Sequence, residues 1–291
     1  MPDTLIYQNT PPALLPLYGR AILPKKGISG ADITLPKLSA ELLCAHTSSD
    51  DLNQYERVCG FRSSNHIPIT WPHILAFPLH LKLLTEKAFP LPLLGLVHLR
   101  NTITQHRAIG VGEALKLHVY LGEQERTSRG IEFGLITTAS SAGALVWGET
   151  STMLFRQSSQ QAETTAKKAP PTLEQYPNTT DIEAPEPIGR QYAKISGDSN
   201  PIHMHALSAK AFGFPKAIAH GMWSKAHALA ILEQQGEWCS GPVRVSCQFK
   251  KPLFLPGTAK LNWRTGESGW DYQLLNARGD APHLSGRIDW L

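Results

Sequence analysis

Two stretches of the chain spell the same order of elements, an apolar helical segment and then a run of alternating strands, on either side of a polar interval. In the second stretch, Met222, Ala226, Leu229, Ala230 and Glu233 fall near helical spacing. This predicts a helix over Met222–Gln235, with Gly236 as its stop. Strand-like runs follow at Val243–Phe249, Thr258–Arg264, Asp271–Asn276 and Leu284–Trp290, divided by turns such as Pro256-Gly257. In the first stretch a helix is predicted near Trp71–Lys87. Pro72 suits its first turn, whereas Pro78 is expected to kink it. Strands then run Gly95–Thr104, Leu115–Gly122, Gly130–Ser140 and Ala144–Phe155, with Gly110 and Gly112 where the other stretch has Pro256-Gly257. A helix followed by an antiparallel meander implies a sheet wrapped around that helix, an α+β arrangement.

The interval Gln157–Pro171 is mostly Gln, Ser, Thr, Ala, Lys and Pro, and it lacks hydrophobic periodicity. Such a composition cannot offset the cost of ordering by burial. It predicts a linker over 157–171 between a first domain, 1–156, and a second, 172–291. The length of 291 residues agrees, at about 150 residues per domain. Charged residues make up 18% of the chain and hydrophobic ones 42%, which excludes long disorder. The net charge of +4 includes no Lys/Arg-rich run, so a nucleic-acid partner is not expected, although an anionic substrate fits. Cys44, Cys59, Cys239 and Cys247 lack CxxC spacing and are expected as free thiols. Met1-Pro2-Asp3-Thr4 does not read as a signal peptide. The apolar stretch Phe89–Leu99, broken by Pro90 and Pro92, cannot span a bilayer as a helix. A cytoplasmic protein without membrane insertion is the expectation.

Residues 192–222 carry the chemistry. Asp198 and His203 lie five apart across Asn200-Pro201. Pro201 keeps Asn200 out of helical geometry. Gly197 permits a tight bend beside Asp198, and Asn200 can pin the turn by bonding local backbone groups. A rigid irregular loop is expected rather than a helix face. A carboxylate and an imidazole held together can grip one water and deprotonate it. Gly221 opens the next helix, where first-turn N–H groups are unpaired and no side chain blocks approach. That donor suits a thioester oxygen gaining negative charge.

The string from Tyr192 through Ile195-Ser196-Gly197-Asp198, Asn200-Pro201-Ile202-His203 and on to Ala209 resembles the hydratase 2 signature of the MaoC-like family, as does Ala219-His220-Gly221-Met222. The five strictly fixed positions, Gly197, Asp198, Asn200, Pro201 and His203, would coincide by chance about once in three million start points, at about one in twenty per position. The resemblance implies a double hot-dog: two tandem hot-dog domains, the first degenerate and the second catalytic. It implies reversible hydration of trans-2-enoyl thioesters of CoA or acyl-carrier protein to (R)-3-hydroxyacyl thioesters, with no cofactor and no metal. By that analogy Asp198 and His203 activate the water and the Gly221 N–H polarises the carbonyl. The segments Phe89–His98 and Asn101–Arg107 look like the first halves of long dehydratases. No Gly-Asp-x-Asn-Pro-x-His string occurs there, so no second active site is expected.

Other residues keep two readings. His220 reads equally as a group at the substrate and as a structural residue before the helix. Lys250 and Lys251, ahead of Pro252, suit the phosphates of CoA or phosphopantetheine, or simply a solvated turn. Trp223 and Phe212 read as core or as walls of an acyl channel, and Tyr192 and Ile195 as core contacts. The His203/His205 pair suggests metal only weakly in this context. His66, His73 and His80 recur every seven residues without a carboxylate or cysteine at ligand spacing, and read as solvated or core histidines. A hot-dog thioesterase and a non-catalytic acyl-thioester-binding subunit are the competing functions. Paired hot-dog units within one chain make a monomer a sufficient functional unit, with a homodimer as the alternative.

Overall fold

The structure is a computed structural model that describes residues 4–21, 23, 25, 33–157, 173–236, 238 and 241–291. In chain order its elements are β1 (Thr4–Tyr7), α1 (Leu14–Ala21), β2 (Ser39–Ala45), α2 (Ser49–Cys59), α3 (Trp71–Thr85), β3 (Leu96–Gln105), β4 (Leu115–Thr127), β5 (Gly130–Ser141) and β6 (Ala144–Arg156). They continue with β7 (Asn178–Ala184), α4 (Ile188–Ser196), α5 (Pro201–Met204), α6 (Ala206–Ala211), α7 (Gly221–Leu232), β8 (Val243–Phe249), β9 (Gly257–Arg264), β10 (Gly269–Asn276) and β11 (Pro282–Trp290). All strands join one 11-stranded sheet in the order β1-β2-β4-β5-β6-β3-β8-β11-β10-β9-β7.

That order groups the strands by halves. β1 to β6 hold one side, β7 to β11 the other, and the seam is the antiparallel pair β3–β8, from Arg100↔Gln248 to Gln105↔Val243. The two wrapped sheets expected from sequence are therefore one continuous surface. Each half curls around its own helix. α7 buries Met222, Trp223, Ser224, Lys225, Ala228 and Leu229, positions spread round its axis, as a helix enclosed by a sheet must. α3 does the same with Trp71, Ile74, Ala76, Leu79, Leu83 and Leu84.

Every strand expected from sequence is present within a few residues, but several elements escaped that reading. β1, β2 and β7 are short edge-side strands, and α1, α2 and α4 carry mixed composition. α3 runs on through Pro78, whose missing N–H removes the bond it would have donated to Ile74. α7 ends at Leu232, four residues ahead of Gly236. The expected linker lies outside the described residues apart from Gln157, and so does Cys239. Cys44, Cys59 and Cys247 are free thiols. Among the described residues no helix is long and apolar enough to cross a membrane.

Candidate active site

α4 carries the chain to the loop that holds Asp198. Gly197 ends the helix in the left-handed conformation at φ 78°, the C-cap geometry that favours glycine. The loop then commits its backbone group by group. The Asp198 N–H donates to Ser196 Oγ at 3.1 Å, the Asn200 N–H to Asp198 Oδ1 at 3.2 Å, and the Ile202 N–H to Asn200 Oδ1 at 3.3 Å. Asn200 is extended (ψ 127°) and serves as N-cap of α5, with Pro201 at its first position. Thus Gly197, Asn200 and Pro201 shape the turn as their chemistry implies. One expectation changes: His203 sits on the helical turn α5, not in irregular loop, because Asn200-Pro201 is a helix-start signal as well as a turn signal.

The His203 ring is buried, and its Nδ1–H donates to the Ile218 carbonyl at 2.7 Å. This fixes the tautomer and leaves the Nε2 lone pair free. Burial lowers the His203 pKa, opposed by the Asp198 charge and the bond to Ile218, so the imidazole is a neutral base at pH 7. His220 stacks on His203 with ring centroids 3.7 Å apart, and its Nε2–H donates to the Asp198 main-chain oxygen at 2.9 Å. Burial first, and His203 second, push His220 down to about 3. His220 therefore clamps Asp198 as a neutral donor, the structural reading, while also standing on the cavity wall.

One ligand atom each from Asp198, His203 and His220 lies within 4.8 Å of the others. A carboxylate and an imidazole at that spacing can share one water, each at ordinary hydrogen-bond reach of about 2.6–3.2 Å. These three form the one His/Cys/Asp/Glu cluster of metal-binding dimensions among the described residues. His205 does not join it, since its Nδ1 instead lies 3.4 Å from Arg190. Gly221 begins α7 beside the pair. A Cβ there would stand 2.9 Å from the Phe249 ring, so only glycine leaves the helix start open.

These residues line a cavity of about 590 Å³ that extends into the first half. Asp198, His203, His220 and Gly221 stand on its wall with Lys250 and Lys251. Apolar groups from α3 and the segment after it, such as Phe77, Leu84 and Leu93, continue it. Trp223 is core and donates through Nε1 to the Val58 carbonyl, Tyr192 is buried and also lines the cavity, and Phe212 is exposed and belongs to neither. At the position in α3 equivalent to Gly221 stands Trp71, followed by Pro72, which has no N–H, so the first half offers no similar open helix start.

Sequence reasoning missed three contributors. His73 and His80 take the core of their two readings, and what sequence could not show is their place on the cavity and their partners: His73 Nδ1 bonds Glu149 at 2.9 Å and His80 Nε2 bonds Thr137 at 2.7 Å, the carboxylate arriving from β6. Gly189 is the third. A Cβ on this α4 residue would stand 2.1 Å from the His203 carbonyl oxygen, so α4 and α5 touch backbone to backbone. Gly189→Ala is expected to displace α5 and cut turnover at least tenfold. Wild-type kcat/KM in that variant would refute the role of this contact.

The buried histidines also set acid stability. Burial is the first cause that lowers His80 and His220 to about 3 and His98 to about 4. They stay neutral in the fold, while an unfolded imidazole titrates near 6.5. Unfolding therefore takes up protons below pH 6.5, and stability present above it is lost as pH falls toward 4. Each group contributes about 2 kcal/mol by pH 5. The urea midpoint is expected to fall clearly between pH 7 and pH 5, and equal midpoints would contradict this.

Residues 161–277 match the MaoC like domain. Over 235 residues the chain is 35% identical to 3-hydroxyacyl-thioester dehydratase X of Mycobacterium tuberculosis, a span of 80% of this chain and 82% of that protein. The crystal structure of HtdX of Mycobacterium tuberculosis superposes with a TM-score of 0.75 at 32% identity, covering 87% of this chain and 100% of that one. A Mycobacterium tuberculosis protein with a double hotdog fold aligns at a TM-score of 0.51 and 11% identity over 82% of this chain and 85% of its own, a likeness of fold. The sheet wrapped around α3 and α7 is a double hot-dog.

Proposed function

The chain belongs to the MaoC-like dehydratase family, and we propose that Asp198 and His203 activate the water it adds to, and removes from, an acyl thioester. The enzyme is a hydro-lyase that interconverts 3-hydroxyacyl and enoyl thioesters in fatty-acid metabolism. In the hydration direction, His203 Nε2 and the Asp198 carboxylate hold the water, and the proton passes to this pair as oxygen attacks C3. The C2–C3 electron pair moves toward the thioester oxygen. There the Gly221 N–H and the positive end of α7 meet the developing charge. A proton returned to C2 completes the (R)-3-hydroxyacyl thioester and balances the one taken from water. The observation that carries this reading is the His203 tautomer, with Nδ1–H spent on Ile218 and Nε2 left as the basic nitrogen, in a residue clustered with Asp198 and His220 within 4.8 Å.

Lys250 and Lys251 suit the phosphates of CoA or of phosphopantetheine on acyl-carrier protein, with the thioester passing inward between them and the start of α7. The degenerate half, 1–156, supplies acyl space and the catalytic half, 172–291, the chemistry, with 157–171 joining them. One chain suffices as the functional unit, alone or in a homodimer, in the cytoplasm and without a cofactor. Crotonyl-CoA tests the reaction: enoyl absorbance falls without release of free thiol. Thiol release would favour a thioesterase. Binding of acyl-CoA with no turnover of any enoyl thioester would favour a non-catalytic subunit.

A further inference from the structure

The loop that carries Asp198 is held from the other half of the molecule. Tyr18, on α1, places its hydroxyl between the two peptides that flank Asp198. It donates to the Gly197 carbonyl at 2.6 Å and accepts from the Ser199 N–H at 2.7 Å. A single oxygen thus fixes the peptide planes on both sides of the aspartate Cα, 179 and 181 residues away in sequence. The neighbouring packing points the same way. A Cβ at Gly197 would lie 2.6 Å from Leu14 of α1 and 3.3 Å from Phe77 of α3, so first-half side chains sit directly on the loop.

The other backbone groups around Asp198 are bonded within the second half: its N–H to Ser196, its carbonyl to His220. The Gly197 carbonyl and the Ser199 N–H, which also meet each other at 3.0 Å, complete the set, and Tyr18 is the one side chain that bonds both among the described residues. Tyr18 also lines the cavity, so it stands between the loop and the space that opens into the first half.

We propose that Tyr18 is a positioning residue for the hydration step, through which the degenerate half sets the aim of the Asp198 carboxylate in the other half. This inference rests on the assignment of Asp198 to the water. It goes beyond that assignment in making the first half a part of the catalytic device rather than a container for the acyl chain.

Tyr18→Phe in the full chain removes one oxygen and keeps the ring against the cavity. The expected result is a fall in kcat for crotonyl-CoA of about tenfold to a hundredfold, the range in which small misplacement of a reacting group costs rate. KM should stay within twofold, because the ring and the thioester-binding groups remain. The acid limb of the kcat/KM profile belongs to His203 and should not move. Leu14→Ala, which loosens α1 on Gly197 but keeps the hydroxyl, should lower kcat less than Tyr18→Phe. Unchanged kcat in Tyr18→Phe overturns the proposal. So does a parallel loss of kcat, KM and thermal midpoint, which marks a general packing role. If instead Asp198→Asn alone retains full activity, it is the assignment of Asp198 that fails, a result separable from the Tyr18 outcome.

Discussion

Asp198→Asn is expected to lower kcat for enoyl-thioester hydration by about 10²–10⁴-fold, the usual contribution of a positioned acid–base group. Asparagine keeps an Oδ1 that can accept from the Asn200 N–H, as Asp198 does at 3.2 Å, so the turn before α5 survives. The variant loses the negative charge and the capacity to take a proton from water. His203→Ala should cost a similar factor by removing the free Nε2. The two effects should not add, because both groups act on one water. The pH profile separates their roles. Burial lowers the His203 pKa, so the acid limb of kcat/KM in the wild type should fall below pH 6.5, and it should vanish in His203→Ala. Circular dichroism and thermal midpoints near wild type would show that the fold is intact. A correctly folded Asp198→Asn enzyme with wild-type turnover would falsify the mechanism.

The candidate site was legible in sequence because the residues proposed for it are local. Gly197, Asp198, Asn200, Pro201 and His203 sit within seven residues, and three of them hold backbone geometry that sequence encodes directly: Gly197 a left-handed C-cap, Asn200 an N-cap, and Pro201 a helix start. The repeated helix-then-strands order was legible because enclosed helices and alternating strands differ in hydrophobic period. What sequence could not show is contact across the halves. Tyr18 meets the Asp198 loop from far along the chain, and nothing in Leu14–Ala21 marks a tyrosine for that task. Glycine is a poor helix residue in general, yet Gly189 is where α4 admits the His203 backbone. Lys225 is the sharpest case: sequence would place a lysine of α7 at the surface, and it has no exposed area at all.

Lys225→Met is expected to destabilise the protein by about 3–5 kcal/mol, the usual cost of removing one partner from a buried charged network. Lys225 Nζ donates to Asn101 Oδ1 at 2.5 Å and to the Val245 carbonyl at 3.1 Å, and so ties α7 to both strands of the β3–β8 seam. The Asn101 amide in turn donates to Glu149 Oε1 and to Ser151 Oγ, and His73 binds the same carboxylate. Burial alone would push the Glu149 carboxyl up. His73, 2.9 Å away, and the Asn101 amide outweigh it and hold the group at about 2, so it is ionised. Methionine matches the lysine stem in length but takes the donor away from Asn101 Oδ1 and the nearby amine away from Glu149. Burial lowers the Lys225 pKa, which Cys247 and Glu149 oppose. Unfolding therefore takes up a proton in the window below 10.5, and wild-type stability should gain on the variant as pH rises toward that value. Urea unfolding at pH 7 and pH 9 reads both effects. The double variant Lys225→Met with Glu149→Gln should lose less than the sum of the single losses, because the two groups are coupled through Asn101. A Lys225→Met midpoint equal to wild type would show that the seam is held by strand pairing alone.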